Sequence, residues 1–586
     1  MASRHPGMGA VPYDGGVAFR VWAPFADGVT LSGTFHRRGA AHVPLARDAD
    51  GCWSADVPGA RPGDHYRFDV HAGGETLRRT DPYAAELDPV HGTAVVHDPG
   101  AFDWGPHPFQ MPGWHELVVY ELHVGAFGGG GFAEVQARLD HLAGLGVNCI
   151  ELMPVVECAG EDSWGYDPRA LFAVRAAYGG ADGLRSLVRA AHERGIAVLL
   201  DVVYNHMGVH DNPLWRFDGW SRDGHGGIYF YNDWRAGTPW GDRPDYGRPQ
   251  VRRLILDNVR WWLDEFRLDG LRWDSTSHVR NAHGYVDDPG SDLEDGWALL
   301  RQANRESRER APWKLQVAED LRGDPALVRE LERGGAGFGA QWDAEFVFPV
   351  RAVLAEPRDE ARSMAALRRA VEHGYDGDPL RRVIYTESHD DAERSRVPAA
   401  VHPADPEGWH ARRRAMLGAV LVLTSPGIPM LFQGQEVLET QPFRGGGRMD
   451  WGRVESQAGV LRFFRDLVRL RRNWFDTTRG LRGREVAVYH VNEGDKVIAY
   501  HRRDAGGPRD DVVVLLNLAD RAYARYEVGL PAPGRWRVRL NSDAREYGLS
   551  GHPCHDADAR GPPLHGMPAS AGFGIGPYSA VVLSQD

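Results

Sequence analysis

"HELVVYELHVGAFGGGGFAEVQARLDHLAGLGVNCIELMPV", residues 115–155, carries the pattern that decides the fold. An apolar β-type run, "HELVVYELHVGAF", precedes "FAEVQARLDHLAGLG", whose apolar residues recur at helical spacing and stop at Gly146. "VNCIELMPV" is a short apolar strand again. The unit then repeats: "DGLRSLVRAAHERG" (182–195) reads as a helix capped by Asp182 and Gly195, and "IAVLLDVVYNH" (196–206) as a strand. Strands alternating with helices at this interval imply βα units and a parallel sheet. The alternation runs to about residue 480, long enough for a (β/α)8 barrel with insertions.

The flanks read differently. "GVAFRVWAPFADGVTLSG" (16–33) and "HYRFDVHAGG" (65–74) alternate apolar with polar residues between Gly, Pro and Asp, without helical periodicity. From about 481 onward, "EVAVYHV", "KVIAYHR", "DVVVLLNL", "RWRVRL" and "SAVVLS" are β-like again. The expected fold is therefore multidomain α/β: a central (β/α)8 TIM barrel over 111–480, with β-sandwiches at 1–110 and 481–586. The stretch 207–247 is aromatic, rich in Gly and Pro and irregular; a segment that long should be a functional loop or an inserted subdomain.

Composition narrows the function. The chain has 586 residues, 42% hydrophobic and 25% charged, with 68 basic against 81 acidic side chains and a formal charge of -13. That balance disfavours nucleic acid and anionic membranes and suits a neutral substrate such as a sugar. The four cysteines, Cys52, Cys149, Cys158 and Cys554, show no metal or disulfide spacing; Cys149 sits in an apolar run and reads as core. The N-terminal residues hold no apolar h-region and no run of eighteen apolar residues occurs, so a cytoplasmic protein without a membrane span is expected. The 19 tryptophans are many. They read either as core or as stacking surfaces for sugar rings, and Trp22 and Trp53 of the N-terminal sandwich are assigned to packing.

In a barrel of this kind the residues ending each strand face the active site. Those positions hold Asn205 and His206, Arg272 and Asp274, Glu319, and His389 and Asp390, with Trp164 and Tyr166 in "SWGYD" after an earlier strand. Each has a plain alternative. Glu319 or Asp274 alone would be a strand-end cap or ion pair, His206 a buried histidine, Asn205 a turn residue. Those alternatives weaken because every position recurs in the same phase of successive βα units. Paired carboxylates at one rim suit chemistry on an acetal, one attacking the anomeric carbon and the other protonating the leaving oxygen. The acid needs a raised pKa, whereas the nucleophile must stay ionised, and Arg272 in "GLRWDSTSH" (270–278) stands where it would hold Asp274 in that state.

"DVVYNH", "GLRWDSTSH", "VAED" and "ESHD" resemble, in order, the four signature segments of the α-amylase superfamily, glycoside hydrolase family 13. "FRVWAPFADGVTLSG" is similar to the N-terminal carbohydrate-binding-type sandwich of its branching and debranching enzymes and trehalohydrolases. The resemblance covers nearly the whole chain. It implies Asp274 as nucleophile, Glu319 as general acid/base and Asp390 as the third carboxylate, which binds sugar hydroxyls. It further implies that Arg272 positions Asp274, that His206 and His389 hydrogen-bond the sugar in the −1 subsite, and that Tyr166, with Trp164 beside it, forms an aromatic platform. The implied substrate is an α-glucan. Asn205 matches a position that binds calcium in some members; the subgroup with this N-terminal module often lacks the ion, so no required metal and no cofactor are expected.

Within the superfamily, "LILDNVRWWLDEFRLDGLRWD" (254–274) and "YTESHD" (385–390) resemble 1,4-α-glucan branching enzymes. "AYGGADGLRSLVRAAHERGIAVLLDVVYNHMG" (177–208) is close to the trehalohydrolase form, although "SHDD" departs from the "NHDQ" usual there, and "DAERSRVP" (391–398) departs from the branching pattern. Branching enzyme therefore leads, with an α-1,4-glucan hydrolase (amylase or trehalohydrolase) as the alternative. A glucan-binding protein with an inactive barrel would require loss of Asp274, Glu319 or Asp390, and all three are present.

Overall fold

The computed structural model describes residues 2–586 apart from 39–41, 99, 159, 161–162, 209–211 and 445–446. Eight parallel strands close into one barrel: β1 (Val119–Leu122), β2 (Cys149–Leu152), β3 (Ala197–Val202), β4 (Gly270–Trp273), β5 (Leu315–Ala318), β6 (Ala340–Trp342), β7 (Arg382–Ile384) and β8 (Ile428–Phe432). Closure is made by β8 returning to β1, with Val119 opposite Met430. Every residue of these strands is buried, as a parallel sheet covered by helices requires, which is why they read as continuous apolar runs.

The helices follow the expected pattern with two corrections. The helix read between 132 and 146 is two, Phe132–Gln136 and Leu139–Leu145, broken at Ala137 and Arg138; the Arg138 guanidinium lies 4.2 Å from the Trp451 ring centroid. Gly146 ends the second at φ 99°, a conformation that suits glycine. The next helix, Gly180–Glu193, starts before Asp182, so Asp182 is not its cap. Its carboxylate instead lies in the first turn, where it accepts a hydrogen bond from Arg185 at 2.9 Å. The paired tryptophans 261 and 262 occupy a single π turn, Trp261–Glu265, before β4. Both are packing residues: Trp261 Nε1 donates to Phe172 O and Trp262 Nε1 to Asn258 Oδ1.

The N-terminal sandwich pairs Gly9–Tyr13, Gly16–Trp22, Cys52–Pro58 and Ala46–Arg47 in one sheet, and Gly28–Gly33, His42–Pro44, His65–Ala72, Glu75–Arg79 and Ala94–Val95 in the other. Trp22 and Trp53 are buried in it. Segment 207–247 (of which 209–211 lie outside the described residues) has its own buried aromatics, Phe217, Tyr229, Phe230, Tyr231 and Tyr246, and it rests on this sandwich. Trp220 stacks on Phe25 at 4.8 Å, Asp218 accepts from the Phe25 amide, and Arg79 Nε donates to Phe217 O. At the other end, a six-stranded sheet that includes Glu485–Asn492 and Ser579–Ser584 faces the pair Tyr523–Leu530 and Ala569–Ile575. All four cysteines are free, and Cys149 is buried in the barrel as a core residue. Among the described residues, no helix is long and apolar enough to cross a membrane.

One ion pair ties the barrel to the C-terminal sheet. Arg413, on helix Trp409–Thr424, donates to Asp543 Oδ1 at 2.6 Å and to Pro577 O and Ser550 Oγ at 2.8 Å. Neither charged side chain is exposed to solvent. Asp543→Ala would leave a buried guanidinium without its carboxylate, and it is expected to lower stability by about 3 kcal/mol, read from urea unfolding. A shift under about 1 kcal/mol would show that the pair behaves as a surface one.

Candidate active site

The residues that follow the barrel strands converge on Arg272. This guanidinium, fully buried on β4, donates from one nitrogen to Asp201 Oδ2 and Asp274 Oδ1, both at 2.7 Å, and its other terminal nitrogen lies 3.8 Å from Glu319 Oε2. It sits 4.4 Å from the centroid of the Trp342 ring, from β6. An arginine suits this place because its planar fork can serve two carboxylates and lie on an aromatic face at once.

Asp274 leaves β4 with its amide bonded to Val202 O, and Ser275 then turns the chain at φ 40° and ψ 54°. That left-handed turn brings the Ser275 amide onto Glu319 Oε2 at 2.6 Å, while Thr276 donates through both its amide and Oγ1 to Glu319 O. Asp274 and Glu319, 45 residues apart in the chain, are thus fixed to each other through backbone. Asn205 Nδ2 donates to Asp274 Oδ2 at 2.6 Å and to its carbonyl at 2.9 Å, so the second carboxylate oxygen is also held.

Tyr166 Oη donates to Asp201 Oδ2 at 2.5 Å, and His389 Nε2 lies 2.9 Å from the same hydroxyl. The Tyr166 and His389 rings stack at 5.2 Å, and Trp164 meets His389 edge-on at 6.2 Å. Trp164, at φ 50°, has its buried indole Nε1 without a hydrogen-bond partner among the described residues. His206 Nε2 bonds to Tyr166 O at 2.9 Å. Asp390 is the outlier of the set: its side chain is 57% exposed, and its nearest charged neighbour is His389 at 3.5 Å. Every residue expected at the rim is therefore present there, but four, Asn205, His206, His389 and Asp390, lie beyond true strand ends. Strand β3 stops at Val202 before Asn205 and His206, and β7 stops at Ile384, so His389 opens the short helix His389–Arg394 instead.

Burial pushes Glu319 up to about 8; Arg272 opposes this, and Asp274 and Asp390 add to it. At neutral pH Glu319 is accordingly a proton donor. Burial lowers His206 below the usual histidine range, with Asp274 opposing.

Several site residues escaped the sequence reading. Asp201, Glu121 and Glu151 lie inside apolar strands, and only their charge in such runs marks them. Trp342 is on a three-residue strand too short to recognise. Among the described aromatics of 207–247, Trp240 meets the site, its ring 5.8 Å from that of His206 and 4.9 Å from that of His278, and Trp234 is 63% exposed. The carboxamide of Asn205, aligned with a calcium position, is occupied at both ends, by Asp274 and by His206 Nδ1. Among the described residues, no group of three or more His, Cys, Asp or Glu is arranged to hold a metal ion.

Known proteins match this chain throughout. The family described as "Alpha amylase, catalytic domain" matches residues 113–216 and 215–458, "Alpha amylase, C-terminal all-beta domain" matches 488–586, and "Carbohydrate-binding module 48 (Isoamylase N-terminal domain)" matches 7–84. A 1,4-alpha-glucan branching enzyme of Rubrobacter xylanophilus is 30% identical over 630 aligned residues, spanning 99% of this chain and 83% of that one. A malto-oligosyltrehalose trehalohydrolase of Saccharolobus solfataricus is 31% identical over 457 residues, 73% of this chain and 74% of that one. The crystal structure of Bacillus subtilis pullulanase type I, complexed with maltose, superposes with a TM-score of 0.78 over 100% of this chain and 86% of that one; at 20% identity the likeness is one of fold. On the catalytic-domain match and the near-full-length relative, the chain belongs to the alpha-amylase family, glycoside hydrolase family 13, with an N-terminal module of the carbohydrate-binding type.

Proposed function

We propose that the protein is a retaining α-glucan transferase that cleaves an α-1,4 linkage and passes the glucosyl chain to a 6-hydroxyl, the reaction of a 1,4-α-glucan branching enzyme. The observation that carries the chemistry is the difference between two carboxylates fixed to each other. Asp274 has both oxygens engaged by donors, Arg272 and Asn205, whereas Glu319 is pushed up to about 8 by burial and keeps its proton at neutral pH.

Asp274 attacks the anomeric carbon as Glu319 gives its proton to the departing glycosidic oxygen, leaving a covalent glycosyl-enzyme. Glu319, now a carboxylate, takes the proton of the incoming 6-hydroxyl as that oxygen displaces Asp274, so two inversions give net retention. Asp390, Tyr166, His206 and His389 line the space over the reacting sugar in this reading. Relatives named as branching enzymes align over 94–99% of the chain, which favours transfer over hydrolysis. The second reading, an α-1,4-glucan hydrolase of the amylase or trehalohydrolase kind, is supported by the 31% identical trehalohydrolase. The division into domains at about 110 and 480 is part of the same proposal.

Product analysis separates the two readings. Proton NMR after incubation with amylose should show new α-1,6 anomeric signals with few new reducing ends; rising reducing ends without α-1,6 signal would mean hydrolysis. Glu319→Gln is expected to lower kcat by roughly 10²–10⁴-fold with the fold intact. Asp274→Asn should abolish turnover, and substantial residual activity in either variant would overturn the roles. Because the acid form of Glu319 is the active one, kcat/KM should fall as pH rises through about 8. A profile flat to pH 9.5 would contradict that assignment. Trp240→Ala should weaken substrate binding by about 1 kcal/mol, roughly fivefold in KM, and unchanged kinetics would remove it from the groove.

A further inference from the structure

Glu121 lies on β1, buried, and both of its oxygens bind one residue on the far side of the barrel closure. Oε2 accepts the backbone amide of His389 at 3.0 Å, and Oε1 is 2.5 Å from its Nδ1. A neutral imidazole has one donor nitrogen and one acceptor, so what sits on Nδ1 decides what Nε2 can do. Nε2 is 2.9 Å from the Tyr166 hydroxyl, and that hydroxyl is 2.5 Å from Asp201, which shares the Arg272 guanidinium with Asp274. Tyr166 has a single proton. It can give that proton to Asp201 only if Nε2 carries one of its own.

We infer that Glu121 is a positioning residue for the proposed reaction: by accepting both the amide and Nδ1–H of His389 it keeps the ring an imidazolium. The hydrogen-bond chain then runs in one direction from His389 through Tyr166 to Asp201, which Arg272 meets from the other side while also donating to Asp274. This deepens the transferase reading and rests on it for the role of Asp274, but not for the charge of His389.

The surroundings agree. The groups around the imidazole are Glu121 on β1, Glu151 on β2, His123 after β1, Tyr166, Arg272 on β4, and Asp390 on its own helix, with the Trp164 and Trp342 rings alongside. Burial favours the neutral ring, but Asp390 and Glu121 outweigh it and the repulsion of Arg272, and hold the imidazole up at about 10. His123, pushed down to about 4 chiefly by burial, is neutral. Glu151 pairs in register with Glu121; burial first and Glu121 second push it far above the usual carboxylate range, so it adds no competing negative charge. A glutamine at 121 could accept only one of the two donors, and its amide hydrogens would face the other.

The experiment is histidine-selective 15N NMR on the whole chain, with the His389 signal identified by its absence in His389→Asn. The wild type should show His389 as an imidazolium at pH 8, and Glu121→Gln should lose that signal at the same pH. With amylose, Glu121→Gln should lower kcat on the order of 10²-fold with KM changed little. Its alkaline limb should move at least about 1 pH unit down, because the ring now loses its proton within the working range. A neutral His389 in the wild type at pH 8 overturns the inference even if the variant does not fold. So does a folded Glu121→Gln that keeps both the imidazolium and the wild-type profile. If the protein proves inactive on amylose, the spectra still decide the Glu121 question, and only the transferase reading falls.

Discussion

The structure depends on one buried cation. Arg272 has no exposed surface, and an isolated guanidinium at such a depth would cost several kcal/mol. It is tolerated because Asp201 and Asp274 accept from it, Glu319 lies within 4 Å, and Trp342 offers its ring face. Those partners come from β3, from the ends of β4 and β5, and from β6. Satisfying the arginine therefore means assembling half the barrel rim in one geometry. Removing the charge would leave a cluster of carboxylates to repel one another, so the same interaction that costs desolvation also orders the site.

Around that cation, the protein separates two carboxylates by environment. Asp274 accepts from Arg272 and Asn205, whereas the carboxyl of Glu319 receives one backbone amide, and burial holds its proton to about pH 8. The turn at Ser275 links the two states mechanically, since a single left-handed residue sets the distance from nucleophile strand to acid. The flanking domains serve the same rim at one remove. The N-terminal sandwich carries its tryptophans inside and meets the inserted segment through Phe25 and Arg79, so the wall holding Trp240 is backed by a rigid sheet. The C-terminal sheet is fastened to the barrel helix Trp409–Thr424 by a buried ion pair.

Much of the site was legible because its residues stand where apolar runs stop. Asp274, Glu319, Asp390, His206 and His389 each follow such a run, and a parallel barrel places all such positions at one face. Glu121, Glu151 and Asp201 were not legible, because they interrupt runs that otherwise read as core, and a lone charge there has no partner in the local sequence. The aromatics of 207–247 could not be sorted from sequence: Phe217, Tyr229, Phe230, Tyr231 and Tyr246 are packing residues, and nothing in their spacing separates Tyr229, which is buried, from Trp240, which is not.

What the sequence by itself determined is periodicity: where strands and helices alternate, hence a barrel flanked by two β domains, and which side chains end each strand. Periodicity is a property of neighbours in the chain, set by 3.6- and 2-residue repeats of apolar burial. Only the tertiary structure decided who meets whom across the barrel. His389 rests on Glu121 across 268 residues, Tyr166 on Asp201 across 35, and Asn205 on Asp274 across 69. Those meetings fix proton positions, because a carboxyl or imidazole takes its charge from burial and from the charges within a few ångströms, and neither quantity exists until the chain has closed on itself.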